Sequence, residues 1–141
     1  VNLIALFDLT QQLVPLIRKS NKSSIINIGS IYGHLAPDWR LYKGLNSSCP
    51  ASYSASKAAI SNITKWFATA LAPNIRVNCI SPGGILRNQD PIFVDRYISR
   101  VPLLRMADET DIVNAVSFLS SDLSSYITGL DMIVDGGLSI W

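Results

Sequence analysis

Histidine is nearly absent: His34 is the only one in 141 residues. A Ser-His-Asp hydrolase or a histidine-rich metal centre is hard to build from such a chain, and His34 reads as a loop residue. Cysteine is almost as scarce. Cys49 and Cys79 stand thirty positions apart, in no Cys-x-x-Cys pair, and read as reduced, structural thiols of a cytoplasmic protein. No apolar run reaches the roughly 18 residues of a membrane span, so no membrane partner is expected. Lysine and arginine number 12 against 10 acidic residues, scattered to a net charge of +2. Without a basic stripe, nucleic acid is not expected as a partner. What the chain does have is apolar residues, 48% against 16% charged, enough for one globular core and for one domain at most.

The apolar pattern divides into alternating elements. Leu3, Leu6, Phe7, Leu13, Val14 and Ile17 recur at helical spacing, with Pro15 arguing for a bend. Asn21 to Ser24 reads as a turn, and Ser24 to Gly29 as a β-branched strand whose isoleucines suggest burial on both faces. A long stretch from His34 to Ala51 is rich in Pro, Asn, Gly and Ser but carries Trp39 and Tyr42. Those aromatics either line a binding cleft or anchor the loop to the body. A helix from about Ser52 to Leu71, a strand at Ile75 to Ile80 and a short helical pattern near Pro91 to Ser99 follow. Asp108 suits the N-cap of a further helix with Ile112, Ala115, Val116 and Leu119 inward, and Asp131 to Val134 reads as a last strand. Strand, helix, strand, helix, strand predicts a right-handed parallel α/β sheet. Ligands of such sheets bind beyond the carboxyl ends of the strands, where Ser30, Pro82 and Gly83 fall.

Tyr53 and Lys57 are four residues apart near the start of the second long helix, hence on one face. An ammonium beside a phenol favours the phenolate, and a phenol so tuned gives or takes a proton near neutral pH. The spacing alone is weak, since an amphipathic helix with a solvated lysine shows it too. Its convergence with Ser30 and Pro82-Gly83 at one sheet edge gives it weight.

The segments Ile26-Asn27-Ile28-Gly29-Ser30, Tyr53-x-x-x-Lys57, Asn74 through Gly84 and Tyr126 through Gly137 occur in an order that resembles the short-chain dehydrogenase/reductase family. The resemblance implies an NAD- or NADP-dependent oxidoreductase that moves hydride to or from a carbonyl or hydroxyl carbon of a small-molecule substrate. It implies Tyr53 as general acid/base, Lys57 on the nicotinamide ribose, Ser30 on the substrate oxygen and Asn2 supporting a relay water. Tyr53 and Lys57 also count among the cofactor contacts, with Pro82, Gly83 and Ile85 beside the nicotinamide carboxamide. It further implies a homo-oligomer, dimer or tetramer, formed through the helices at about 2 to 19 and 52 to 71. No metal is implied.

Two departures qualify the resemblance. Ser30 and Tyr53 are 23 residues apart, a longer loop than compact members have and more like that of nucleotide-sugar epimerases and dehydratases. With Pro50-Ala51-x-Tyr53-Ser54-Ala55-Ser56-Lys57, the loop is similar to bacterial surface-sugar and flagellin-modification reductases, which suggests a sugar or sugar-nucleotide substrate. Arg87 stands where the family often has a cofactor-holding threonine. The family's Gly-rich pyrophosphate turn has no match here, and the chain opens at Val1 inside an apolar pattern.

The expected fold is therefore α/β: the C-terminal part of a Rossmann-like parallel sheet, three strands with flanking helices, residues 1–141 making a single partial domain with the catalytic half. No tight dinucleotide binding and no activity are expected of these residues by themselves. The alternatives are a truncated, cofactor-less module acting as an oligomeric binding protein, and an epimerase or dehydratase.

Overall fold

Three strands lie side by side in the order in which the chain makes them: β1 (Ser23–Ile28), β2 (Ile75–Pro82) and β3 (Asp131–Val134). Both pairings are parallel, with Ser23 opposite Ile75 and Cys79 opposite Asp131. Parallel neighbours need crossovers, and helices supply them. Besides α1 (Ile4–Ile17), which precedes β1, there are α2 (Trp39–Tyr42) and α3 (Ala51–Leu71) between β1 and β2, and α4 (Pro91–Ile98) and α5 (Glu109–Ser120) between β2 and β3. The computed structural model describes residues 2–20 and 22–141; Asn21, read above as part of a turn, and Val1 lie outside the described residues.

β2 is the central strand and its burial shows it. Val77, Cys79 and Ile80 are fully inaccessible, as expected of a strand covered on both faces. β1 falls short of that expectation because it is an edge: Ile25 and Ile26 are half-buried and Ile28 is 44% exposed. Phe67, Ala68 and Leu71 of α3 pack on Ile75 and Val77, with Phe7, Val14 and Ile17 of α1 alongside. The opposite face belongs to α5. Its carboxyl end is held by the sheet, since Ser24 Oγ donates to Leu119 O at 3.0 Å and Arg76 donates to Leu119 O and Ser121 O. Those carbonyls have no partner inside the helix, so an arginine on the central strand completes it.

The helix starts follow local chemistry. Asp108 and Asp111 form a reciprocal capping box at α5, each carboxylate accepting the other's N–H. Asp90 caps α4 with Pro91 at its first position, where the missing N–H costs nothing. α1 runs through Pro15. The stretch between Ser30 and Ala51 is more ordered than a loop reading expects, holding α2 and a 3-10 turn at Ile31–Gly33. A second apolar cluster, Leu41, Tyr97, Val101 and Met106, joins α2 to α4 beyond the carboxyl end of β2.

Candidate active site

β1 ends at Ile28, and the next two residues turn the chain onto α3. Ser30 is extended, caps the 3-10 turn and accepts the Tyr32 N–H on its Oγ at 3.2 Å. One lone pair is thereby engaged while the hydroxyl proton stays available to donate. Gly33 lets the turn lie flat on the helix: a Cβ there would meet the Lys57 carbonyl carbon at 2.8 Å and Ala58 N at 2.9 Å.

Tyr53 sits in the first turn of α3, its N–H on Pro50 O at 3.0 Å. One turn later Lys57 Nζ donates to Ile28 O at 2.9 Å, a carbonyl at the end of β1, and stands 5.7 Å from the centroid of the Tyr53 ring. Burial depresses the Lys57 pKa below the ordinary lysine value. Asn2 reaches the same helix, with Nδ2 on Ser56 Oγ at 3.4 Å, and Ser56 Oγ in turn donates to Tyr53 O at 2.7 Å.

Ser30, Tyr53 and Gly83 share the wall of one cavity of about 620 Å³. Asn2, Lys57, Pro82 and Ile85 are not in that wall. Pro82 closes β2 as a buried residue, and Ile85 makes a lone parallel bridge to Ala107. Gly83 is required by the protein's own packing, because a Cβ would meet Tyr97 Oη at 2.8 Å and Asp135 Cα at 2.9 Å. Arg87 forms an ion pair with Glu109.

Part of the remaining wall is aromatic, and most of those rings escaped sequence reasoning. Tyr32 and Tyr42 share a hydroxyl–hydroxyl hydrogen bond of 2.7 Å. Tyr42 packs on Phe93 at 5.3 Å between centroids, and Phe93 on Tyr97 at 5.8 Å. Tyr97 Oη accepts the Gly84 N–H at 2.5 Å. Of the two loop aromatics, Tyr42 lines the cavity, whereas Trp39 is 61% exposed and rests against Tyr42. The signal for the other ring pair was in the spacing, since Phe93 and Tyr97 are i and i+4 on α4.

His34 has more company than a loop residue. Its Nε2 lies 3.0 Å from Asp131 Oδ2 and 3.3 Å from Ser81 Oγ. A single ring nitrogen serves both partners, so the trio lacks the two-sided geometry of a proton relay. Beneath it the Cys79 thiol is fully buried, and burial pushes its pKa up to about 12. Among the described residues no group of His, Cys, Asp and Glu is arranged to hold a metal, and no helix is long and apolar enough to cross a membrane.

A family model described as enoyl-(acyl carrier protein) reductase matches residues 1–139. The post-translational flagellin modification protein A of Campylobacter coli is 37% identical over 129 residues, covering 91% of this chain and 50% of that protein. A 3-oxoacyl-(acyl-carrier-protein) reductase of Thermotoga maritima is 36% identical over 145 residues, 99% of this chain and 55% of its own length. The crystal structure of a short chain dehydrogenase from Leptospira borgpetersenii with bound NAD+ superposes with a TM-score of 0.90 at 44% identity, over 98% of this chain and 53% of that one. A gluconate 5-dehydrogenase from Burkholderia cenocepacia, in complex with NADP and tartrate, gives 0.86 at 28% identity, over 100% and 54%. The chain thus spans about half the length of the curated relatives it matches.

Proposed function

This chain belongs to the short-chain dehydrogenase/reductase family, and from that membership we propose that it carries the proton-transfer half of an NAD(P)-dependent oxidoreductase, residues 1–141 forming one partial Rossmann-like domain. The observation that carries the proposal is the meeting of Ser30 and Tyr53 in one cavity wall, with Lys57 pinned behind the tyrosine ring. When bound, a nicotinamide dinucleotide supplies or accepts the hydride. Lys57 spends one of its three N–H donors on Ile28 O, leaving two for a ribose hydroxyl pair. The backbone at Pro82, Gly83 and Ile85 is the proposed neighbour of the carboxamide. These contacts suit the nicotinamide end of the cofactor; this chain offers no glycine-rich turn for the pyrophosphate.

During carbonyl reduction, negative charge develops on the substrate oxygen. Ser30 donates its free hydroxyl proton to that oxygen while the Tyr32 N–H holds the Ser30 side chain in place. Such a fixed donor stabilises the charge as it forms. Tyr53 then delivers its phenolic proton, and the Lys57 ammonium stabilises the charge left on the phenol oxygen. Asn2 is proposed to serve proton return from solvent, through its place beside Ser56 on the same helix. The substrate class we infer is a sugar-type carbinol, supported by the rings and neutral polar side chains that line the cavity. Self-association through α1 and α3 is proposed on the exposed Ile4, Leu9, Leu13 and Leu16 of α1 and Trp66 of α3.

The test is Tyr53→Phe in the whole protein, which deletes one hydroxyl. Turnover should fall by at least about 10³-fold, within the range of lost acid/base catalysis, while the melting temperature and cofactor affinity hold. Turnover comparable to wild type removes Tyr53 from the chemistry.

A further inference from the structure

The cavity shared by Ser30 and Tyr53 is short of charge. Among the described residues lining it, Asp90 is the one ionic side chain, and its Oδ1 already accepts the Ile92 N–H at 2.8 Å. Of the nearby cations, Lys57 stands behind the Tyr53 ring, outside the wall, and three arginines are engaged elsewhere. Arg96 donates to the carbonyls of Leu41 and Lys43, Arg87 pairs with Glu109, and Arg105 pairs with Asp111. Three phenols of the wall, Tyr32, Tyr42 and Tyr97, are raised above the ordinary tyrosine value by burial, so they remain neutral through the physiological range.

What the cavity offers a ligand is flat and uncharged. Tyr42, Phe93 and Tyr97 form a continuous run of rings. Asn46, Ser47, Ser48 and Asn88 line the same space with side chains that take no part in the hydrogen bonds among the described residues. Gln89 looks similar but is spent: its Oε1 accepts the Arg87 N–H and its Nε2 donates to Ile85 O. Neutral amides and hydroxyls beside an apolar ring face match the hydroxyls and C–H face of a sugar ring. A phosphate or carboxylate would enter without a lysine or arginine in the wall to neutralise it, and with Asp90 repelling it.

We infer that the substrate is an uncharged sugar or polyol, and that Asp90 excludes anionic sugars, sugar nucleotides included. The inference rests on the oxidoreductase reading for what happens to the sugar, but not for which sugar is held. It narrows the sugar-nucleotide expectation that the sequence raises. For a carboxylate held about 6 Å from Asp90 at an effective dielectric of about 40, repulsion alone amounts to roughly tenfold in affinity.

Binding, read without turnover, tests it. Saturation-transfer NMR on the whole protein compares glucose, galactose, mannose and sorbitol with glucuronate, glucose 6-phosphate and UDP-glucose. An acetoacetyl thioester of N-acetylcysteamine serves as the acyl alternative. At least one neutral sugar should bind about tenfold tighter than every anion and the thioester. Asp90→Asn keeps an N-cap side chain and should shrink the neutral-over-anionic gap about tenfold. Tighter binding of any anion or of the thioester overturns the inference, as does no binding by any neutral ligand, or an Asp90→Asn gap equal to wild type. The Tyr53→Phe protein should keep the same preference. If that variant still turns over, the catalytic reading fails while the binding result stands by itself.

Discussion

Replacing Gly33 with alanine should damage activity through geometry alone. The backbone at Gly33 lies outside the left-handed region that favours glycine, so space is the only reason for a glycine there. An added Cβ lies 2.8 Å from the Lys57 carbonyl carbon and 2.9 Å from Lys57 O and Ala58 N. All three are main-chain atoms of α3, which cannot swing aside as a side-chain tip would. Reaching ordinary contact at 3.4 Å requires the turn and the helix to part by about 0.6 Å. Overpacking of this kind costs about 1–3 kcal/mol. Ser30 caps the same turn and its carbonyl accepts the Gly33 N–H at 2.8 Å, so the displacement passes to the hydroxyl proposed to hold the substrate. Misplacing a reacting group by about 1 Å can cost on the order of 10²-fold in rate; a shift of this size should lower kcat by about tenfold or more. Urea denaturation gives the first quantity and steady-state kinetics the second. Gly44→Ala is the control, because it meets nothing within 4 Å but sits at φ +77°. It should lose roughly 1–2 kcal/mol with kcat unchanged. A Gly33→Ala protein with wild-type stability and turnover refutes the close-packing account of the Ser30 turn.

Other perturbations read other parts of the structure. Lys57 binds its proton less tightly folded than unfolded, so the unfolded chain holds more protons in the window just below the ordinary lysine value. Lys57 by itself therefore makes stability rise with pH through that window. The raised Tyr32, Tyr42, Tyr97 and Cys79 pull it down in the same range, so Lys57→Met should lose stability more steeply than wild type in melting curves taken from pH 8 upward. A Lys57→Met slope equal to wild type, or shallower, contradicts the burial of Lys57. Thr64 is fully buried, and its Oγ1 accepts from Asn27 Nδ2 at 2.9 Å while donating to Ile60 O. Thr64→Val leaves the buried Asn27 amide without that acceptor and should cost about 1–3 kcal/mol in chemical denaturation; a neutral result would mean the amide finds another partner. The Cys79 thiol, inaccessible and titrating only near pH 12, should resist iodoacetamide at pH 8 until the protein is unfolded. Rapid alkylation of Cys79 in the native protein would show that β2 opens.

The elements that the sequence revealed best are those whose burial is one-sided or complete. α3 declares itself through Ala59, Ile60, Ile63, Phe67 and Leu71 at helical spacing, of which Ile60, Phe67 and Leu71 are buried, and α5 through the Asp108 cap. The three strands and their parallel order follow from β-branched runs separated by helix-length crossovers. The isoleucines of β1 suggest burial on both faces, yet in a three-strand remnant residues 24 to 29 make an edge whose apolar side chains should be exposed, and Ile28 is exposed. The cavity was half legible. Ser30, Tyr53 and Gly83 were placed by motif, but the rings of Tyr32, Phe93 and Tyr97 come from two separate stretches. Only tertiary packing brings those together, through Arg96 holding the Leu41 and Lys43 carbonyls against α4. His34 does lie in a turn, but its contact escaped the sequence for the same reason, since its partner Asp131 is 97 residues away.

The positions of Ser30, Tyr53 and Lys57 are set by bonds internal to this chain. Tyr32 N–H fixes Ser30, Pro50 O fixes the Tyr53 backbone, and Ile28 O fixes Lys57. The second strand contributes too, because Gly83 N–H on Val134 O ties the end of β2 to β3. A donor array held this way needs little reorganisation when charge develops on a substrate oxygen, and that is the economical way to lower such a barrier. The open side of β1 is a different matter. Ile28 O gives one bond to Lys57 there while the Ile28 side chain remains exposed. The groups proposed for proton transfer therefore stand beside a sheet edge that a further strand can pair with. Lys57 sits at the junction, bonded to the edge strand and adjacent to the Tyr53 ring.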